Sequence, residues 1–382
     1  MKQLYIILIA ITSIFATSCG DMLEDIQPYL DEGEKVYVGK LDSVTIFSGR
    51  NRVMITGIMP YGTTQTKCVI NWIDPQGGTG SKEFSVNRVN ANEEFEFLVD
   101  NLLEGQYDFR IYTYDGKDNS SVRVESGGYS YGEVYETALV GRNIGSISLD
   151  ENGGTINWQE RNTGLVRSEI RYTDKDGAIR NISIPADESS VSCPGAPGKG
   201  EFEYRSVYIP EESSIDEFYT DWTQASFPYL FGDVDRSQWS VIFYDNSDPS
   251  EGSPDNIIDN NPNSYWHSDY HNATNYPYTF VIDMKEQVWV GEIGAQTRQN
   301  VFYTRGVEFY TIDNYTGPSE GQWIKLGDLE LPQNNNDMIW KTCPDNILDA
   351  GIKARYLKVV LTSGYNGHLG GIGEISVKKV LP

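Results

Sequence analysis

Positive charge, cysteine, histidine and long apolar runs are all scarce in this sequence. Only 30 Lys and Arg face 55 Asp and Glu across 382 residues, a formal net charge of -25. A chain this acidic repels phosphate, which argues against nucleic acid and anionic membrane surfaces as partners. Four cysteines are too few for a disulfide-stapled scaffold. Cys68, Cys193 and Cys343 share no Cys-x-x-Cys spacing, so metal-binding and thioredoxin-like readings fail and buried thiols are the default. A pairing of Cys68 or Cys343 stays open at this point. Of the three histidines, His267 and His271 stand four apart in HSDYH. That spacing binds zinc on a helix, but the zincin Glu is missing and Pro262 and Pro277 oppose a helix. No G-x-S-x-G, P-loop or other recognisable catalytic motif is present, and Gly77-Gly78-Thr79-Gly80 reads as a hairpin turn.

What is abundant points to packed β-structure. Aromatics make up 12% of the chain, with 25 Tyr and 8 Trp, too many for a disordered protein. The length suits roughly two to three domains. No long stretch carries a 3.6-residue period. Glu94–Phe97 and Tyr107–Tyr114 instead alternate with period 2, the pattern of half-buried strands. Turn signals such as Asp115-Gly116 and Asp176-Gly177 recur at short intervals, the rhythm of β-sandwiches.

The apolar run Leu4–Phe15 is too short to span a bilayer and suits the core of a signal peptide, with Lys2 before it. Ala16-Thr17-Ser18-Cys19 follows and resembles a lipobox. That resemblance implies a lipoprotein signal peptide over 1–18 and acylation of Cys19; an ordinary signal peptide with a nearby Cys is the alternative. Asp21, Glu24 and Asp25 resemble the surface-export signal of Bacteroidota-type lipoproteins, within an acidic tether over 19–33. The address implied is the outer membrane, with the chain exposed at the cell surface.

Leu102–Ile111 is similar to the tyrosine-corner segment of fibronectin type III domains, with Trp72 upstream. Trp158, Tyr172 and Gly200–Ser206 repeat the plan. Residues 34–132 and 133–228 are therefore expected as two fibronectin III-like sandwiches, with 229–236 as a linker. Gly33–Tyr37 and Gly49-Arg50-Asn51-Arg52 also resemble the start of an uncharacterised family of Bacteroidota surface lipoproteins.

From 235 to 382 a set of motifs falls in one order. They are Asn256–His267, Tyr278–Met284, Arg298, Gly306–Tyr310, Gly321–Leu326, Ala354–Val359 and Gly373–Val377. The order resembles the discoidin, or coagulation factor V/VIII type C, family, which includes family 32 carbohydrate-binding modules. The fold implied is a β-jelly-roll sandwich, so the whole chain is expected to be all-β.

Two sites follow from that resemblance. The family's calcium loop, Asp-Gly-Asn-x-x-Thr-x-x, reads DNNPNSYW here. Asp259 matches the carboxylate ligand, Asn256 and Asn261 match carbonyl ligands, Ser264 replaces the Thr, and Glu374 matches a late carboxylate. Structural Ca²⁺ is the implied cofactor, since it takes 6–8 oxygen ligands. Asn260 replaces the Gly and tolerates positive φ. An Asx-rich turn held by its own hydrogen bonds is the alternative. An EF-hand reading fails, because Ser264 and Tyr270 stand where its Gly and Glu belong.

The second implied site binds sugar. His267 and Arg298 match the family's hydroxyl-binding pair. The late-loop aromatic is replaced by Leu369, beside His368, so Tyr365, Tyr303 or Phe302 would have to supply the ring. That leaves galactose-type specificity open. The alternative has His267 capping a loop and Arg298 pairing a surface acid. Trp266 is expected in the core. The function implied is a lipid-anchored, non-catalytic glycan-binding protein serving polysaccharide uptake. A protein-docking or adhesion role beside a transporter is the first rival, and a glycan-active enzyme the second.

Overall fold

The computed structural model describes residues 37–60, 62–88, 90, 92–272 and 274–381. The signal peptide, Cys19 and the acidic tether lie outside them. The architecture is all-β: two fibronectin III-like sandwiches followed by a discoidin-like jelly roll. By internal contacts the chain forms two units. The first reaches to Arg142 and adds Arg161–Ser168 and Arg205–Asp221; the second holds Asn143–Glu160, Glu169–Tyr204 and the chain from Trp222 onward.

Seven strands build the first sandwich: β1 (Asp42–Gly49), β2 (Arg52–Met59), β3 (Gln65–Ile73), β4 (Thr79–Ser85), β5 (Glu93–Val99), β6 (Gly105–Asp115) and β7 (Val124–Ser130). They form sheets β1-β2-β5 and β4-β3-β6-β7. Alternation in β6 buries Tyr107, Phe109 and Ile111 against Val53, Ile55 and Phe97. The tyrosine corner forms, with the Tyr107 hydroxyl donating to the Leu103 carbonyl at 3.0 Å. The Gly49–Arg52 motif has a local reason. Asn51 takes φ 51°, and its side-chain amide donates to the Leu102 carbonyl. On either side, Arg50 pairs with Glu136 and Arg52 with Asp216.

The second set comprises β8 (Ile144–Asp150), β9 (Gly153–Trp158), β10 (Leu165–Thr173), β11 (Ile179–Pro185), β12 (Ser190–Pro194), β13 (Glu201–Tyr208), β14 (Phe218–Tyr219) and β15 (Thr223–Ser226). The expected repeat of the corner takes another form. Tyr204 packs edge-on against Trp158, while the Tyr172 hydroxyl donates to the Pro194 carbonyl. Cys68, Cys193 and Cys343 are free, and burial pushes each thiol up to about 12.

The jelly roll contains β16 (Leu230–Asp233), β17 (Ser240–Tyr244), β18 (Trp266–His267), β19 (Tyr278–Gln296), β20 (Thr304–Ile312), β21 (Ile324–Glu330), β22 (Ile339–Thr342), β23 (Lys353–Gly364), β24 (Gly371–Ile372) and β25 (Glu374–Leu381). Residues 230–233 are thus not linker, as expected from sequence, but an edge strand paired with β25 from Leu230↔Leu381 to Asp233↔Lys378. The glycine at 291 leaves room for Phe231 there, since a Cβ would come 2.3 Å from the ring.

β19 belongs to both sheets. Its first half pairs with β17 and β23, and its second half with β22 and β25. The crossing falls at exposed Lys285–Gln287, where Lys285 takes φ 68°. Asp283 pins this corner. It accepts two bonds from the Arg355 guanidinium, at 2.7 and 2.8 Å, and one from the Lys285 backbone N–H at 2.9 Å. Arg355, followed by Lys285, holds the Asp283 carboxyl well below the usual carboxylate range against the opposing effect of burial. A depressed carboxyl stabilises the fold above its unfolded value, near 4, and loses that contribution as pH falls. Asp283→Asn is therefore expected to lower the Tm of the jelly roll at pH 7. The gap to wild type should shrink progressively below about pH 4 in melts across a pH series.

Candidate functional site

Both ends of β19 return to one edge of the jelly roll. Tyr278 lies beneath Gly370, and Gln296 pairs with Glu374. Short β18 pairs there with β24, Trp266↔Ile372 and His267↔Gly371. Trp266 is core: it is fully buried, meets Tyr278 and Phe280 edge-on, and donates its indole N–H to the Asn246 carbonyl at 3.0 Å. The next residue, His267, therefore points the opposite way, toward the loops.

Those loops are stitched to β18. Asp248 donates its backbone N–H to the His267 carbonyl, and its Oδ1 accepts from Ser250 and from the Glu251 N–H. This turn brings Glu251 to the histidine. Gly252 allows the approach: it takes φ 76°, and a Cβ would stand 2.7 Å from the His267 backbone nitrogen.

The groups brought together are His267, Glu251, Tyr265, Arg298, Tyr303 and Tyr270. The Nδ1 of His267 lies 2.6 Å from the Ser268 carbonyl. A carbonyl only accepts, so Nδ1 donates its hydrogen to it. Tyr270 and Tyr303 meet the imidazole edge-on, at 5.4 and 5.5 Å. Tyr270 is 42% exposed, whereas His267 is 5% exposed. Arg298 donates to Glu251 at 2.9 Å, with its guanidinium 3.5 Å from the Tyr265 ring centre. The Tyr265 hydroxyl donates to the same carboxylate at 2.6 Å. That hydroxyl, followed by Arg298 and His267, holds the Glu251 carboxyl below the usual range against partial burial.

The pairing of Arg298 with an acid, which the plainer reading of the sequence expects, does occur. Its partner stands beside His267, so the pair is part of the same cluster. Glu251, Tyr265 and Tyr270 were not singled out from sequence. The one signal was the closeness of Tyr265 and Tyr270 to His267, while Glu251 lies in a loop without a motif. Tyr365 touches the cluster through its backbone, whose N–H donates to the Tyr303 carbonyl at 2.7 Å, and its side chain and His368 make further contacts. The Tyr365 hydroxyl donates to the Leu331 carbonyl and its ring faces Arg305, while the His368 carbonyl accepts from Tyr278.

The calcium-loop residues also converge. Asn260 takes φ 61°, as the substitution for Gly requires. Asn261 donates its N–H to Asp259 and to Glu374, both at 2.9 Å. The Ser264 hydroxyl lies 2.8 Å from Asp259 and 2.7 Å from the Asn261 carbonyl. The Asn256 amide donates to the Tyr265 carbonyl. Glu374 is buried and bonds Arg236, from the segment expected as linker, at 2.6 Å. As arranged, both Glu374 oxygens, Asp259 Oδ1 and the Asn261 carbonyl face protein hydrogens, whereas Ca²⁺ takes 6–8 oxygens free to coordinate it. Beside them a cleft of about 780 Å³ is lined by Trp239, Trp340, Asp235 and Asp255.

The sequence profile of DUF4998, described as a domain of unknown function, matches residues 19–218, more than half of the chain. The chain belongs to that family. In this DUF4998 protein the F5/8 type C domain matches residues 242–375, which contain every residue of the cluster above. A sialidase of Micromonospora viridifaciens is 22% identical over 158 residues, which are 40% of this chain and 23% of the sialidase. The chain thus spans under a quarter of that relative's length. Among solved structures, the C-terminal domain of a Bacteroides fragilis chitobiase is 20% identical, covering 40% of this chain and 100% of that one, with a TM-score of 0.33. A family 32 carbohydrate-binding module of Clostridium perfringens in complex with galactose is 18% identical, covering 39% and 99%, with a TM-score of 0.32. A SusE-like protein is 13% identical, covering 62% and 96%, with a TM-score of 0.35.

The electrostatics of the cluster are testable. Tyr265→Phe removes the largest influence lowering the Glu251 carboxyl. The Glu251 pKa, followed by carboxyl-carbon NMR, is expected to rise toward its ordinary value in that variant. An unchanged titration would contradict the assigned hydrogen bond.

Proposed function

We propose that this DUF4998 protein is a non-catalytic glycan-binding lipoprotein whose F5/8 type C domain captures carbohydrate at the His267–Arg298 cluster. One observation carries the reading. An exposed aromatic ring, Tyr270, stands beside a histidine, a guanidinium donor and a carboxylate at one edge of the jelly roll. Sugars need this combination: forked donors and acceptors for the hydroxyls, and an aromatic face for the pyranose C–H groups. A protein-docking patch of aromatics alone would lack the convergent polar groups. Glu251 accepts from Tyr265 and Arg298, which favour its ionised form, so it is suited to binding a hydroxyl and not to donating a proton as a glycosidase acid does.

A lipid on Cys19 tethers the chain to the outer membrane in this reading, and the acidic residues after it direct the chain to the cell surface. A shallow polar site binds weakly, near millimolar or about -4 kcal/mol. Many copies on one cell raise the effective affinity, which suits capture for polysaccharide uptake.

The test is a glycan array probed with residues 19–382 carrying Cys19→Ser. Binding to one class of glycan is expected. His267→Ala, Arg298→Ala and Tyr270→Ala should each weaken it by about tenfold or more while the protein stays folded. A folded protein that binds no glycan would shift the reading to a protein partner.

A further inference from the structure

The side chain of Arg236 makes contacts that the calcium expectation assigns to a metal. Its Nη1 donates to Glu374 Oε2 at 2.6 Å and to the Ile375 carbonyl at 2.7 Å, and its Nη2 donates to Asn260 Oδ1 at 2.6 Å. One cation thus joins three pieces of chain: the entry to the jelly roll, the loop at 259–264 and the last strand. The ion pair is well buried, with 12% of the Arg236 and 3% of the Glu374 side chain exposed. Both oxygens of Glu374 are engaged, Oε2 by Arg236 and Oε1 by the Asn261 N–H. Asp259 Oδ1 and the Asn261 carbonyl are engaged within the loop itself.

Charge leads to the same arrangement. Asp259 and Glu374 both accept from the one Asn261 N–H, so two carboxylates face the same loop and a nearby positive charge offsets their repulsion. A guanidinium is always protonated, planar and multiply donating, so it serves several fixed acceptors at once. A divalent ion entering the same shell would meet the guanidinium charge and the hydrogens of Asn261 and Ser264 in place of free oxygen lone pairs.

We propose that Arg236 is the resident cation of this loop and that the F5/8 type C domain of this chain holds its fold without calcium. The test uses the full chain with Ca²⁺ as the probe. Calorimetry should detect no Ca²⁺ binding to wild type at millimolar concentration, and its Tm should be the same in excess Ca²⁺ and in EGTA. Arg236→Ala leaves Glu374 and Asp259 without their cation, and its Tm should fall by roughly 5 °C or more. Ca²⁺ should then raise the Tm of Arg236→Ala while leaving wild type unmoved. Arg236→Lys keeps the charge but loses the fork, and should melt between the two. Stoichiometric Ca²⁺ binding by wild type with a Tm lowered by EGTA would overturn the proposal. So would an Arg236→Ala variant that melts like wild type. The wild-type measurement stands even where the alanine variant does not fold.

Discussion

The jelly roll depends on the corner in β19. That strand leaves one sheet and enters the other at Lys285–Gln287, so one continuous segment borders both faces of the core. Val281, Ile282, Val288, Val290 and Ile293 are buried on either side of the turn. Asp283 fixes the corner by accepting from Arg355 and from Lys285. Because the strand folds back, Tyr278 and Gln296 reach the same edge and meet the segment from Gly370 to Glu374. The loops at that edge are therefore held from both sheets.

Two arginines serve this edge in different ways. Arg298 lies over Tyr265 and pairs with a partly exposed carboxylate. Its guanidinium is partly exposed, so it is less firmly held than a buried pair. Arg236 is buried against Glu374 and the last strand. Removing one partner of such a pair strands the other charge, which is why its role is structural. The same residue type thus does two jobs, separated by burial.

Much of the fold was legible in the sequence because it rests on local pattern. The alternation from Tyr107 to Tyr114 placed β6, and the Leu102–Ile111 segment carried the corner that Tyr107 closes on Leu103. Trp266 was readable as core, and His267 was singled out by the resemblance as a site residue. The rest was not local. Glu251 joins Arg298 across 47 positions, and Arg236 joins Glu374 across 138. No motif surrounds either residue, and only the register of β18, β19 and β25 brings them to their partners. Tyr365 and His368 came from the resemblance alone: the Tyr365 N–H donates to the Tyr303 carbonyl while its hydroxyl donates to the Leu331 carbonyl, and the His368 carbonyl accepts from Tyr278. Residues 230–233 read as linker because four residues carry too little periodicity to declare an edge strand.

Carbohydrate binding at the His267–Arg298 edge is the proposal on which the function of this protein rests. Amide and indole NMR shifts of the labelled full chain, followed during titration with neutral monosaccharides such as galactose and N-acetylglucosamine, test it most directly. Saturable shifts centred on Glu251, Tyr265–His271 and Arg298 are expected, with the Trp239–Trp340 cleft unmoved. Shifts centred on that cleft, or no saturable shift with any sugar up to about 100 mM, would contradict the proposal.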